Sequence, residues 1–295
     1  MRKLFFIVLL AAFASLLSGC HKPTPKQEET FFEWVDSYNR HIELAKAPQR
    51  IVSISPAITE VMYLVGAQSK LVGISDFCTY PTQTKEITKI GGMHNINFEA
   101  LLALHPDVVL IGSMISQKDV DAIEKMGIPV VCIVEEKSLE GMAEMMQVIG
   151  NITQCEEKAV SEADKWMREI EDIRDENAKD TTTKKKVYYV VGFGEAGDFT
   201  APKDSHINEI IELAGCTNVG KSLSSWNISR EFLFQAEPDI ILIRKEDKDA
   251  FCSQYPYTLL TAVKEGRVYP IESGWIDIIS PRNMKAVEMI RKIKQ

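Results

Sequence analysis

The chain has 295 residues, 45% of them hydrophobic and 26% charged, with a formal net charge of -8. These fractions are those of a globular protein, and the length leaves room for two domains. The acidic balance argues against a nucleic-acid partner, whose binders carry basic patches, and it is compatible with docking onto a basic protein.

Arg2 and Lys3 precede an apolar run from Leu4 to Leu17, which closes on Ser18-Gly19-Cys20. A basic start, a short apolar stretch and small residues at its end read as a secretory signal peptide over residues 1–19. The run falls short of the roughly 20 apolar residues that span a bilayer. Leu17-Ser18-Gly19-Cys20 resembles the bacterial lipobox, in which the cysteine is lipidated and becomes the mature N-terminus. His21 to Thr30 is polar, holds Pro23 and Pro25, and cannot bury enough apolar surface to fold. Residues 20–47 are therefore read as a lipidated cysteine, a tether and an N-terminal extension. No later segment has 18 uninterrupted apolar residues. The expected location is the cell envelope, lipid-anchored to a bacterial membrane and facing the periplasm or the exterior.

Beyond the tether, Arg50 to Ile54 reads as a basic-led strand and Glu60 to Ala67 as a helix ending in Gly66. Asn97 caps a helix with Glu99 in its first turn, and Pro106-Asp107 stops it before the apolar strand that begins at Val108. From Leu139 to Ile173, apolar residues recur at three- and four-residue steps, the period of an amphipathic helix. Asn151-Ile152-Thr153 is a candidate break, and the polar, basic run from Asp180 to Lys186 ends the stretch.

The second half then repeats the first. Glu99, Pro106 and Asp107 match Glu231, Pro238 and Asp239 at one constant offset, and Ser229 replaces Asn97 as the cap. Lys186 to Val190 echoes the first strand, Glu209 to Cys216 echoes Glu60 to Ala67, and Lys264 to Tyr269 echoes Lys125 to Val130. Strands alternating with helices predict an α/β fold, with two similar lobes, each built on a mostly parallel sheet. The predicted boundaries are an N-terminal lobe over 48–137, a long linker helix over 138–183 and a C-terminal lobe over 184–295. Ligands bind in clefts between such lobes.

No G-x-S-x-G, HExxH, P-loop or helix-opening G-x-G-x-x-G is present, which argues against an enzyme. Gly192 to Gly197 approaches a dinucleotide loop, but Asp198-Phe199-Thr200-Ala201-Pro202 follows and blocks helix formation. The cysteines after Cys20 are Cys78, Cys132, Cys155, Cys216 and Cys252. They lack metal-ligand spacing, and their odd number leaves at least one free. Of the five histidines, His21 and His41 precede the lobes and His105 ends a helix. His94 and His206 alone fall in cleft loops, too few for a bare zinc or manganese site, and no cofactor is expected.

The residues Arg50-Ile51-Val52-Ser53, Ser55-Pro56, Thr59-Glu60, Gly73 to Pro81, Gly91-Gly92 and Asn97-Phe98-Glu99 carry a resemblance, joined by Asp198-Phe199-Thr200, Trp226, Ser229-Arg230-Glu231 and Ser280-Pro281-Arg282. In that order the chain resembles the helical-backbone (class III) periplasmic binding proteins of ABC importers, in their vitamin B12-binding and ferric siderophore-binding branch. The resemblance implies a monomer that carries a bulky metal chelate to a permease with its own ATPase subunits. It implies that Glu99 and Glu231 dock on permease arginines, which carboxylates pair with bidentately. It places Ser55, Pro56, Phe77, Tyr80, Met93, Phe199, Trp226 and Trp275 at the ligand, where aromatic planes suit a macrocycle. The expected ligand is cobalamin or a related corrinoid, with a ferric siderophore or haem as the alternative. Met93 stands where the cobalamin binders have tryptophan. Gly274 and Ile278 stand where they have an acid and an arginine, and Asp277 is displaced by one position. Arg282 and Lys203 are candidate cations for an anionic chelate, although Arg282 also suits a structural role. His94 is a candidate contact to a bound metal complex.

Overall fold

A computed structural model describes residues 30–133 and 138–295. The predicted signal peptide, Cys20 and most of the predicted tether lie outside the described residues. The chain first forms a hairpin, β1 (Phe32–Val35) with β2 (His41–Leu44). Asp36 makes the turn by accepting the backbone N–H groups of Tyr38 and Arg40, each at 3.0 Å. The Arg40 guanidinium returns to Asp36 and reaches Glu124 at 2.8 Å, which fastens the hairpin to the first lobe. Phe32, Ile42 and Leu44 are buried in the main core. The extension is thus folded from Phe32 onward and is not all tether.

The first lobe contains β3 (Ile51–Ser53), α1 (Pro56–Leu64), β4 (Leu71–Ile74), β5 (Thr88–Lys89), β6 (Gly91–Gly92), β7 (Asn95–Ile96), α2 (Phe98–Ala103), β8 (Val108–Ile111), α3 (Gln117–Lys125) and β9 (Val130–Cys132). Its sheet runs β5-β4-β3-β8-β9 and is parallel throughout. The linker follows as α4 (Leu139–Thr153) and the long α5 (Glu156–Lys179). The second lobe contains β10 (Lys186–Val190), β11 (Asp198–Phe199), α6 (His206–Leu213), β12 (Thr217–Asn218), β13 (Asn227–Ile228), α7 (Arg230–Ala236), β14 (Ile240–Arg244), α8 (Lys248–Ser253), α9 (Thr261–Lys264), β15 (Val268–Ile271), α10 (Ser273–Ile276) and α11 (Asn283–Ile293). Its sheet, β12-β10-β14-β15, is also parallel. The buried strand Val108–Ile111 and the buried residues 240–243 of β14 read as continuous apolar runs, as expected of parallel strands covered on both faces.

The repeat has a physical basis at each matching position. Asn97 accepts the N–H of Ala100 at 3.0 Å, and Ser229 accepts that of Phe232 at 3.1 Å, so each caps its helix. His105 and Glu237 both take positive φ, 45° and 46°, where the helix stops. Asp107 then accepts the N–H of Arg50 at 2.8 Å, and Asp239 accepts that of Lys186 at 2.8 Å. The Arg50 side chain donates to the Leu104 carbonyl, and Lys186 donates to the Ala236 carbonyl. A cation at the C-terminal end of a helix satisfies its last carbonyls and opposes its dipole. The basic leader of each first strand and the Pro-Asp of each junction are therefore two halves of one clasp.

The linker folds back on itself. Gln154 takes φ 59°, which ends α4, and α5 returns along it. Gly150 makes the approach possible: a Cβ there would lie 2.3 Å from that of Ala159. Trp166 closes the far end by donating Nε1–H to the Leu139 carbonyl at 2.7 Å. Met142, Met146, Ile149, Ala163 and Ile170 share one buried cluster with Ile58 and Val61 of α1 and with Ile207 and Ile211 of α6. The two lobes are thus joined through a common core. Glu209 of the second lobe strengthens the joint by accepting the N–H of Leu139 at 2.7 Å.

Candidate ligand-binding cleft

Parallel sheets collect their ligand-facing loops at the carboxyl ends of the strands. In the first lobe these are the loops after β3, β4 and β6. Ser53, Thr59, Ser75 and Cys78 form a buried polar knot beneath them. Thr59 Oγ1 lies 2.9 Å from Ser53 Oγ and 3.2 Å from Cys78 Sγ, and Ser75 Oγ lies 3.2 Å from the same sulfur. Lys89 donates to the carbonyl of Cys78 at 2.8 Å and to that of Ser75 at 3.3 Å. Burial pushes the Cys78 thiol up, which keeps it protonated and unreactive. This floor holds the loop that presents Phe77, 54% exposed, and Tyr80, 41% exposed. Phe77 crosses Gly92, where a Cβ would meet its ring at 3.3 Å. Met93 is half-buried beside it, and His94 is exposed on the same turn. Ser55 is buried at the cap of α1 and Pro56 opens that helix, so they shape the wall.

In the second lobe, β11 and β13 form a short ladder that pairs Phe199 with Asn227. Phe199 is half-buried and lies against Gly192, whose added Cβ would be 3.2 Å from its ring. Trp226 precedes β13, is 41% exposed, and accepts the N–H of Thr200 at 2.8 Å on its carbonyl. Beneath the ladder, Asp198 is buried and accepts from Arg230 Nε at 2.9 Å and from the Tyr257 hydroxyl. Tyr257 stacks on Phe251 with ring centroids 4.5 Å apart, and Phe193 packs edge-on to both.

Among the described residues, one ion pair crosses between the lobes. Arg282 holds Glu60 with both faces of its fork, one bond at 2.8 Å, and its guanidinium lies 4.2 Å from the centre of the Tyr80 ring. The Glu60 side chain is 3% exposed and that of Arg282 is 15% exposed. Gly274 makes room: a Cβ there would lie 2.3 Å from the guanidinium. Burial pushes the Glu60 carboxyl above its usual range, and Arg282 pulls the other way. Arg282 is therefore a cross-lobe clasp.

Other candidates fall elsewhere. Trp275 stands against α11 with the Lys285 ammonium 5.9 Å from its ring centre, beside a hollow lined by Glu288, Met289 and Lys292. His206 opens α6, is half-buried and bonds the Ile276 carbonyl at 2.8 Å, so it is not the cleft-loop histidine that its position in the chain indicated. Lys203 is exposed. Asp277 is shared by Tyr189 and by Arg244 Nε at 2.8 Å. Glu99 and Glu231 occupy matching, exposed positions in the first turns of α2 and α7. None of the five cysteines of the described residues is in a disulfide. Among the described residues no group of three or more His, Cys, Asp or Glu side chains is placed to hold a metal ion, and no helix is long and apolar enough to cross a membrane.

A family model described as periplasmic binding protein matches residues 51–273, which span both lobes. The chain belongs to the periplasmic binding protein family. Its members are substrate-binding proteins and not enzymes. A protein of Bacillus subtilis named as an uncharacterised ABC transporter substrate-binding lipoprotein is 26% identical over 294 residues, 95% of this chain and 93% of its own. A cobalamin-binding protein of Halobacterium salinarum is 28% identical over 298 residues, 94% of this chain and 79% of its own. Among solved structures, a periplasmic heme-binding protein of Vibrio cholerae superposes with a TM-score of 0.74 at 22% identity, over 83% of this binding protein and 98% of its own chain. That last likeness is one of fold.

The pairings that organise the site leave no signal in the sequence. Glu60 and Arg282 are 222 residues apart, and Asp198 and Arg230 are separated by a helix and two strands. Nothing in a single chain marks either pair. The family motifs Thr-Glu and Ser-Pro-Arg contain the first pair, but they do not say that their members touch.

Proposed function

We propose that this binding protein captures cobalamin or a related corrinoid between its lobes and delivers it to the permease of an ABC importer. Phe77, Tyr80, Phe199 and Trp226 offer apolar faces to a large ring system from both walls. Met93, Ser55 and Pro56 complete the first wall, whereas Trp275, on α10 against α11, stands apart from them. Glu99 and Glu231 dock on permease arginines. Cys20 carries the lipid that keeps the protein at the membrane, and residues 21–30 tether it. The likeness to the Bacillus lipoprotein and to the Halobacterium cobalamin binder supports this reading. The core shared by the linker and both lobes limits closure on binding.

One observation carries the ligand preference. The arginines that flank the cleft loops are already paired: Arg282 with Glu60, Arg230 with Asp198, and Arg244 with Asp277. An anionic chelate would compete with a carboxylate for each of these arginines, whereas a neutral corrinoid does not. Haem is the second reading, because the exposed His94 beside Met93 presents two residue types that ligate iron.

The test is a tryptophan-fluorescence titration of the chain from Thr30 onward with cyanocobalamin, haemin and ferric siderophores. Saturable quenching below micromolar by cyanocobalamin alone is expected, with the signal lost in Trp226→Phe. Tight binding of an iron chelate alone would overturn the corrinoid reading. In cells, Glu99→Arg with Glu231→Arg should abolish uptake while the purified protein keeps its affinity. Normal uptake by that double variant would remove the docking role.

A further inference from the structure

The two docking acids are held in different ways. In the first lobe, Phe98 precedes Glu99 and packs into the apolar cluster under the sheet. In the second lobe the equivalent residue is Arg230. Its guanidinium does not enter a core but reaches back to the cleft loop, with Nε 2.9 Å from Asp198 and a second nitrogen 2.8 Å from the Gly194 carbonyl. Gly194 takes φ +100°, a conformation that favours glycine, and its N–H points to the Tyr257 hydroxyl at 3.0 Å and to Asp198 at 3.3 Å. One residue of the cleft loop, Gly194, is therefore gripped on both sides: its N–H by Tyr257 and Asp198, its carbonyl by Arg230.

The same Asp198 begins β11, whose next residue is Phe199. The ladder pairs Asp198 with Ile228 and Phe199 with Asn227, between Trp226 and the Ser229 cap. From the aromatic wall to Glu231, the connection is thus a two-stranded ladder, a helix cap and a two-point grip by Arg230, one bond to the Asp198 carboxylate and one to the Gly194 carbonyl. Charge-assisted forks of this kind fix direction as well as distance.

We propose that Arg230 is a positioning residue that fastens the second-lobe cleft loop and the docking acid Glu231 into one mechanical unit. What fills the cleft against Phe199 and Trp226 is then felt at the second docking helix, while the first docking helix, fastened by apolar packing, does not respond in this way. The functional meaning of the unit rests on the assignments of Phe199, Trp226 and Glu231 given above, but its existence does not.

The experiment is a double-mutant cycle read by amide hydrogen exchange on the full mature chain without ligand, since coupling is established only by such a cycle. Phe199→Ala perturbs the wall, and the readout is exchange at Leu233 to Gln235, with Leu101 to Ala103 of α2 as the reference. In the parent background, Phe199→Ala should speed exchange in α7 by about fivefold or more and leave α2 unchanged, as expected of amides whose opening is local. In Arg230→Met, exchange should rise in 192–197 and in α7 together, and Phe199→Ala should add nothing further in α7. Arg230→Lys, which keeps the charge and loses the fork, should fall between. An equal effect of Phe199→Ala in both backgrounds would overturn the proposal, as would loosening by Arg230→Met of one segment without the other. Arg230 is half exposed, and an unchanged urea midpoint for α5 exchange verifies that the variant is folded. Because the cycle uses no ligand, a failed cobalamin titration counts against the ligand reading alone.

Discussion

Replacing Arg282 by methionine should weaken the protein in a way that depends on pH. The substitution keeps the length of the side chain and removes the fork that holds Glu60 and covers Tyr80. Removing one partner of a buried ion pair costs about 3–5 kcal/mol, because it leaves a charge without compensation. Arg282 keeps an edge toward solvent, which moves the expectation to the lower end, about 3 kcal/mol. The sign of the pH effect follows from Glu60. Its folded pKa already lies above the ordinary 4.5 through burial, with Arg282 opposing that rise. Without Arg282 it rises further. A carboxyl whose folded pKa exceeds its unfolded value binds the proton more tightly when folded, so stability is present at low pH and lost as pH rises through the folded pKa. The deficit of Arg282→Met relative to the parent should therefore be larger at pH 8 than at pH 5. Urea unfolding followed by circular dichroism at both values measures it. A deficit under about 1 kcal/mol at pH 8, or the same deficit at both pH values, would refute the view of this pair as a buried cross-lobe clasp. Adding Glu60→Gln to Arg282→Met should recover part of the loss at pH 8, because the uncompensated charge is gone.

Three further expectations concern the frame. Gly150→Ala puts a methyl 2.3 Å from Ala159 Cβ and should cost about 1–3 kcal/mol as overpacking, with Ala159→Gly restoring much of it; an unchanged melting temperature would refute the close crossing. The Tyr188 hydroxyl is buried without a hydrogen-bond partner among the described residues, so Tyr188→Phe should leave stability unchanged or raise it by up to about 1 kcal/mol, whereas a clear loss would show that the hydroxyl is satisfied. Burial pushes the His206 imidazole below its ordinary 6.5, so its contribution to stability is present above pH 6.5 and lost as pH falls below it; His206→Asn should flatten the acid limb of the stability curve between pH 6.5 and 5, and an unchanged limb would refute the assignment.

The sequence alone determined the outline of this protein because the outline is written in local rules. Two N-caps, two Pro-Asp stops and two buried strands at one offset specify two parallel α/β lobes, and the three- and four-residue spacing from Leu139 to Ile173 specifies the helical linker. The exposed aromatics Phe77, Tyr80 and Trp226 were legible for the same reason: they fall in loops, outside any core periodicity. The tertiary structure alone decided which polar side chains are spoken for. Arg282 could be read as a ligand cation until the fold placed the buried Glu60 against it, and His206 could be read as a cleft ligand until its ring met the Ile276 carbonyl. Charge pairing acts through space at a few ångströms, between residues that the chain separates by tens or hundreds of positions. No local pattern encodes that distance, so the partner of Glu60 appears only when both lobes are in place, and those of Asp198 and Asp277 only when the second lobe has folded.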